Sequence, residues 1–157
     1  MKLYLASPFF SQEEIINVDL AEKILRKAGH DVFSPRENKC CDEETGINSR
    51  DAVVSCNEET DSPAWAEKIF AIAKAGIDSC DAVVMLYYSN YSDTGTAWEC
   101  GYAYASGKPV IVVHITPSAT SNLMIHVGSY SNIIGLSGLI DYDFTEMPKY
   151  TYTGYMT

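Results

Sequence analysis

Basic residues, histidines and paired cysteines are scarce in this sequence, and each shortage removes a class of function. Lys and Arg number 11 against 21 Asp and Glu, a formal net charge of −10. Nucleic acid and anionic membrane surfaces both need positive potential in a partner, so neither is expected here. A small neutral ligand stays open, and so does plain solubility as the reason for the acidity. Five cysteines, Cys40, Cys41, Cys56, Cys80 and Cys100, are odd in number and contain no Cys-x-x-Cys pair. None of the three histidines stands at metal-ligand spacing from a cysteine. A disulfide scaffold and a zinc site are therefore not expected, and a reducing cytoplasm is. No apolar run approaches the ~18 residues of a membrane span, and the opening MKLYLASPFF is too short for the apolar core of a secretory signal. Internal repeats and low-complexity segments are missing as well.

What is present reads as one domain over residues 1–157, long enough to bury a real core. KLYLAS (2–7) is a short apolar run ending at Pro8, a strand signal. A helix follows, opened by a capping box of Ser11 with Glu14 and carrying Ile15, Val18, Ala21 and Leu25 at helical spacing before Gly29 stops it. DVFSP reads as a second strand. Residues 34–61 are polar and irregular, too long for a routine connection, and read as a functional loop or lid with short structure of its own around 52–54. Ser62-Pro63 opens a second helix whose apolar face runs through Trp65, Ile69, Ile72, Ala73 and Gly76. DAVVMLYY (81–88) and VIVVHI (110–115) are continuous in apolar residues, as buried parallel strands are. Strands alternating with helices predict an α/β domain with a largely parallel sheet, whose ligands bind beyond the carboxyl ends of the strands. Residues 7–10, 88–94 and those after Ile115 form that edge.

Between the last two strands lies SDTGTAWECGYAYASGK (92–108), a helix of small and aromatic residues with one charge from Thr94 to Gly107, Glu99. Helical side chains lean toward the N-terminus. For Glu99 that means over Gly95 and Thr96, both small, so its carboxylate is predicted to reach the loop after strand 81–88. The helix N-terminus favours its ionised form. Glu99 is either a solvent-facing residue or a functional one, and its neighbours Gly95, Thr96, Tyr102 and Ala103 do not describe a solvated face. Asp93 is an N-cap, a ligand group, or both. An ionised, partly buried carboxylate at such an edge suits attack on an electrophilic sugar carbon, provided donors offset the cost of burial. Tyr4, in the first strand, is a candidate donor and equally a candidate core tyrosine.

The segments KLYLASPFF, CDAVVMLYY, DTGTAWECGYA, GKPVIVV and NLMI together resemble the nucleoside 2-deoxyribosyltransferase family, and the resemblance extends to NIIGLSGLIDYDF and the tail YTYTGYMT. It implies a flavodoxin-like three-layer αβα sandwich with a largely parallel five-stranded sheet. It also implies exchange of the base of a 2′-deoxynucleoside through a covalent sugar–enzyme ester. Within it, Glu99 takes the place of the nucleophile, Tyr4 of its hydrogen-bonding tyrosine, and Asp93 of the sugar-binding aspartate. Asn122 and Met124 match residues that enter a neighbouring subunit's site, so self-association from dimer to hexamer is expected. Ser7, Phe9 and Phe10 lie on the substrate edge. Phe9 or Phe10 stacks on the base or belongs to the core. The tail, 142–157, is expected to complete an active site, although the sequence ends in Thr157 where the family has tyrosine. No metal or organic cofactor is required.

One departure stands out. The family carries an aspartate in the second helix that hydrogen-bonds the base and helps protonate the leaving nitrogen, and Ala73 occupies that position here. General acids contribute ~10²–10⁴ in rate, so a replacement is needed. Asp78 points elsewhere on the helix, and Glu58, Glu59 or Asp61 of the long loop are candidates. Three functions follow: base exchange, hydrolysis of a deoxynucleoside or deoxynucleotide N-glycosidic bond, or nucleoside binding without turnover. The acidic charge and the absence of basic or Gly-rich residues in ASPFF favour a nucleoside over a nucleotide. Retention of Tyr4, Asp93, Glu99 and Asn122 together favours an enzyme.

Overall fold

The computed structural model describes residues 1–38, 62–90, 93–116 and 120–157. The loop candidates Glu58, Glu59 and Asp61, and the short structure expected at 52–54, lie outside the described residues. Five strands, β1 (Lys2–Ala6), β2 (Asp31–Phe33), β3 (Ala82–Tyr87), β4 (Val110–His114) and β5 (Ser131–Ile134), form one sheet in the order β2-β1-β3-β4-β5, with every pairing parallel. This is the doubly wound, flavodoxin-like order. The direction of winding reverses between β1 and β3, so Ser7 and Pro8 after the one, and Tyr88 after the other, flank the switch point.

Alternation along β1 divides the molecule into its layers. Leu3 and Leu5 share a core with Val84, Leu86, Ile111 and Val113, under α1 (Gln12–Lys27) and α5 (Gly135–Asp141). Tyr4 and Ala6 point the other way, into a second core with Val83, Met85 and Val112 under α2 (Pro63–Ser79) and α3 (Thr94–Ala105). Each wholly buried Leu or Val contributes roughly 1.5–3 kcal/mol relative to exposure.

The helices start and stop where the local chemistry dictates. Ser11 accepts from the Glu14 N–H while the Glu14 carboxylate accepts from the N–H groups of Ser11 and Phe10, which closes the capping box. Ser62 caps α2 with Pro63 at its first position, and its hydroxyl oxygen accepts from Trp65 N–H. Gly29 and Gly107 follow α1 and α3 at φ +87° and +72°, where a side chain would be strained. The segment after His114, undivided in the sequence reading, resolves into α4 (Leu123–Gly128), β5 and α5.

Residues 142–157 return across the sheet. Asn132 N–H on β5 donates to the Tyr150 carbonyl, covering an otherwise open strand edge. Tyr152 is buried and stacks on His114 at 4.3 Å, while His126 of α4 meets it edge-on. Met156 then pairs with Ser121 in an isolated parallel bridge, and Leu123 N–H donates to the Thr157 carbonyl. No helix among the described residues is long and apolar enough to cross a membrane.

Candidate active site

Tyr4 stands in the middle of β1 with no exposed surface, and its hydroxyl donates to Glu99 Oε1 at 2.5 Å. A purely apolar core role for Tyr4 is thereby set aside. Glu99 is half-buried in the second turn of α3 and is not the solvent-facing residue of the bland alternative. Its carboxylate does not simply lean over Gly95 and Thr96 toward the loop; it is tied sideways to the central sheet. Burial pushes its pKa up to about 7; the Tyr4 hydrogen bond pulls it back down, and the Asp93 charge adds to the rise. The expected gain from the helix N-terminus is thus outweighed by desolvation. Tyr4 itself is held far above the usual phenol range, by burial first and then by the Glu99 charge, so it stays a donor at any physiological pH.

Asp93 caps α3: its carboxylate accepts from Thr96 N–H at 2.9 Å and from the Thr96 hydroxyl. It also lines a cavity of about 590 Å³ together with Pro8, Tyr87, Tyr88, Cys100 and Asn122. Glu99 and Tyr4 are not in that lining. The cavity takes the face of α3 that turns toward α4, whereas Glu99 lies on the face toward β1. Asp93, at the head of the helix, borders the cavity and acts electrostatically on Glu99.

Asn122 caps α4, with Oδ1 accepting from Met124 N–H at 2.9 Å, and its own N–H donates to the Tyr87 hydroxyl at 2.9 Å. Met124 is 75% exposed at the rim. Neither residue reaches Glu99 within this chain. Ser7 is buried, its hydroxyl donating to the Pro8 carbonyl. Phe9 and Phe10 stack on one another at 5.4 Å, and Phe10 is 80% exposed, which removes Phe10 from the core. The structure therefore joins Tyr4 to Glu99 and places Asp93 and Asn122 on one cavity, the two pairs linked through the charge of Asp93 acting on Glu99.

Asp78 is committed elsewhere. It accepts from the Tyr102 hydroxyl at 2.6 Å and from Lys74 Nζ at 2.8 Å on the outer surface of α2 and α3. It does not substitute for the carboxylate missing at Ala73. Three contributors escaped the sequence reading. Tyr87 anchors the Asn122 backbone, Thr96 steadies Asp93, and Phe33 lies flat against Tyr4 at 5.4 Å. Thr96 had a local signal, three residues after a capping Asp. Phe33 had none, because its position beside Tyr4 comes from strand register.

The profile described as nucleoside 2-deoxyribosyltransferase matches residues 3–136. A nucleoside deoxyribosyltransferase of Lactobacillus johnsonii is 30% identical over 91 residues, 56% of this chain and 59% of that protein, so the match spans little more than half of that relative. The structure of a 2-deoxyribosyltransferase from Bacillus psychrosaccharolyticus is similar with a TM-score of 0.80 at 36% identity, covering 97% of this chain and 99% of that one. A CMP N-glycosidase of Clostridium botulinum shares the fold, with a TM-score of 0.57 at 16% identity over 90% of this chain and 96% of its own. Since the profile match runs from β1 into α5 and a relative's fold follows nearly every residue, the chain belongs to the nucleoside 2-deoxyribosyltransferase family.

Proposed function

We propose that the protein exchanges the base of a 2′-deoxynucleoside through a covalent glutamyl–deoxyribosyl ester on Glu99. The observation that carries this reading is the 2.5 Å hydrogen bond from Tyr4 to one oxygen of a half-buried carboxylate. Tyr4 holds Oε1 and leaves Oε2 to attack C1′. The Oε2–C1′ bond forms as the C1′–N bond breaks, and the electron pair leaves with the base. A nitrogen of the second base then attacks C1′ from the face the first base vacated and releases the carboxylate, and the N–H proton this base gives up balances the proton the departing base takes up. Two inversions give net retention. A site closed to water directs the ester toward a base rather than hydrolysis.

Asp93 binds the sugar, with Ser7, Phe9 and Phe10 on the base side. Asn122 and Met124 enter the site of a neighbouring subunit in a dimer to hexamer, and the tail 142–157 takes part through its pairing at Ser121. Exposed Leu123, Met124 and Val127 on α4 support such an assembly. The whole chain, 1–157, acts as one domain. Buried free thiols at Cys80 and Cys100 suit a reducing cytoplasm. Ala73 bears on the alternative, because a site short of its base-binding acid is also what a hydrolase or a binding protein would tolerate. A fold shared with an N-glycosidase keeps hydrolysis as the second reading.

The deciding experiment is chromatography of purified protein with one deoxynucleoside and a different free base, beside a control lacking the acceptor. A new nucleoside appearing only with acceptor is the expected result. Equal release of free base in both samples overturns transfer in favour of hydrolysis. Glu99→Gln is expected to lower turnover at least about 10³-fold, the scale on which nucleophiles act.

A further inference from the structure

A chain of three contacts runs from α2 to the carboxylate that the preceding reading, on which this inference rests, makes the nucleophile. Tyr4 and Phe33 are register neighbours on β1 and β2, and their rings lie nearly parallel, 12° apart with centroids at 5.4 Å. Helix α2 also packs against the Phe33 ring, at Gly76. A Cβ placed on Gly76 would come within 2.6 Å of Phe33 Cε1 and 2.8 Å of Cδ1 and Cζ, distances that real side chains do not show. Helix α2 can lie this close to the ring only because residue 76 has no side chain. Gly76 is also three residues beyond Ala73, and so on the same side of α2.

The arrangement leaves Tyr4 little freedom. One ring face is held by Phe33, and its hydroxyl is held by Glu99 Oε1. Any tilt of the ring moves the hydroxyl, its outermost atom, most. A misplacement on the order of 1 Å at a reacting centre costs up to about 10²-fold in rate.

We propose that Phe33 and Gly76 are positioning residues for Glu99: the missing side chain at Gly76 lets α2 press Phe33 flat on Tyr4, and the stacked ring aims its hydroxyl at Oε1. The helix that lacks the family's acid at Ala73 thus acts on the reaction through packing. Gly76 acts through Phe33, and Phe33 through Tyr4.

The test uses Gly76→Ala, Phe33→Ala and the double variant Gly76→Ala/Phe33→Leu in the full chain. The added methyl of Gly76→Ala strikes the far end of a side chain that can move, so the ring leaves Tyr4. Phe33→Ala uncovers Tyr4 without adding bulk. In the double variant a smaller Leu and the new methyl share the space and cover Tyr4 again. Each single variant is expected to lose about tenfold in kcat for base exchange, with KM within about twofold, and the double to recover to within about threefold of the parent.

Activity is paired with a readout independent of it, the proton NMR resonance of the Tyr4 hydroxyl, assigned by its loss in Tyr4→Phe. That resonance is expected downfield in the parent, displaced in both single variants and restored in the double. Single variants that keep both the parent kcat and the parent resonance overturn the proposal. So does a double variant that recovers neither, since the loss then reflects general damage to packing. A parent without exchange activity whose resonance still moves and returns as stated refutes the functional reading and upholds the positioning. A parent that exchanges bases, with a resonance indifferent to Gly76→Ala and Phe33→Ala, refutes the positioning alone.

Discussion

Glu99 lies in the second turn of α3, and burial pushes its pKa from an ordinary 4.5 up to about 7. The proposed mechanism needs Glu99 ionised, so the acid limb of kcat/KM is expected near pH 7, with activity falling about tenfold per unit below it. Tyr4→Phe removes the hydrogen bond that lowers this pKa, and the limb is expected to move to higher pH; a limb that moves lower contradicts the assignment. Stability follows with a definite sign. A carboxylate whose folded pKa is raised contributes stability that is fully present below about pH 4.5 and is lost as the pH climbs through about 7. Glu99→Gln, which cannot ionise, should therefore unfold at higher urea than the parent at pH 8, by up to about 3 kcal/mol, with the gap closing near pH 4. The small neighbours Gly95 and Thr96 made Glu99 legible in the sequence. Its tie to Tyr4 spans 95 positions of chain and was legible only through family resemblance.

Helix α3 depends on Asp93 in two ways, as its cap and as a border of the cavity, and substitutions separate them. Asp93→Asn keeps a side-chain oxygen for the Thr96 N–H, so its melting temperature should stay near the parent's while KM for the deoxynucleoside rises. Asp93→Ala should show the same rise in KM and also lose about 1 kcal/mol of stability with the cap. Equal KM in Asp93→Asn and the parent would leave Asp93 a cap alone. The longer helices were readable because their ends carry chemistry: Ser11 with Glu14, Ser62 with Pro63, Gly29 and Gly107. Stretch 120–141 was not. A four-residue strand, SNII, and helices of six and seven residues are too short to display a period, and β5 is recognised only by pairing with β4. Ile77, wholly buried in α2, was passed over beside a Gly76 that was read as simply apolar.

Across the whole molecule, the tail joins β5 through Tyr150, the start of α4 through Thr157, and β4 and the last turn of α4 through Tyr152, which His114 and His126 grip from two directions. Tyr152→Ala is expected to cost about 3 kcal/mol in urea unfolding, at the lower end for buried aromatics because the site lies near the surface. It should also raise KM, since the Ser121–Met156 bridge flanks Asn122; loss of stability without any change in KM would detach the tail from the site. Its tyrosines and the family resemblance marked the tail out in the sequence, but which strands it covers was not legible, because local pattern carries no pairing information. The strand order has one more consequence, for folding during synthesis. Leu3 of β1 pairs with Ala82 of β3, so the central pairing closes a loop of 79 positions, counted as 82 − 3. Non-local parallel pairings of this kind form slowly. Until Tyr87 has left the ribosome, β1 has only the three-residue β2 as a sheet partner, and its inner edge stays open to other nascent chains.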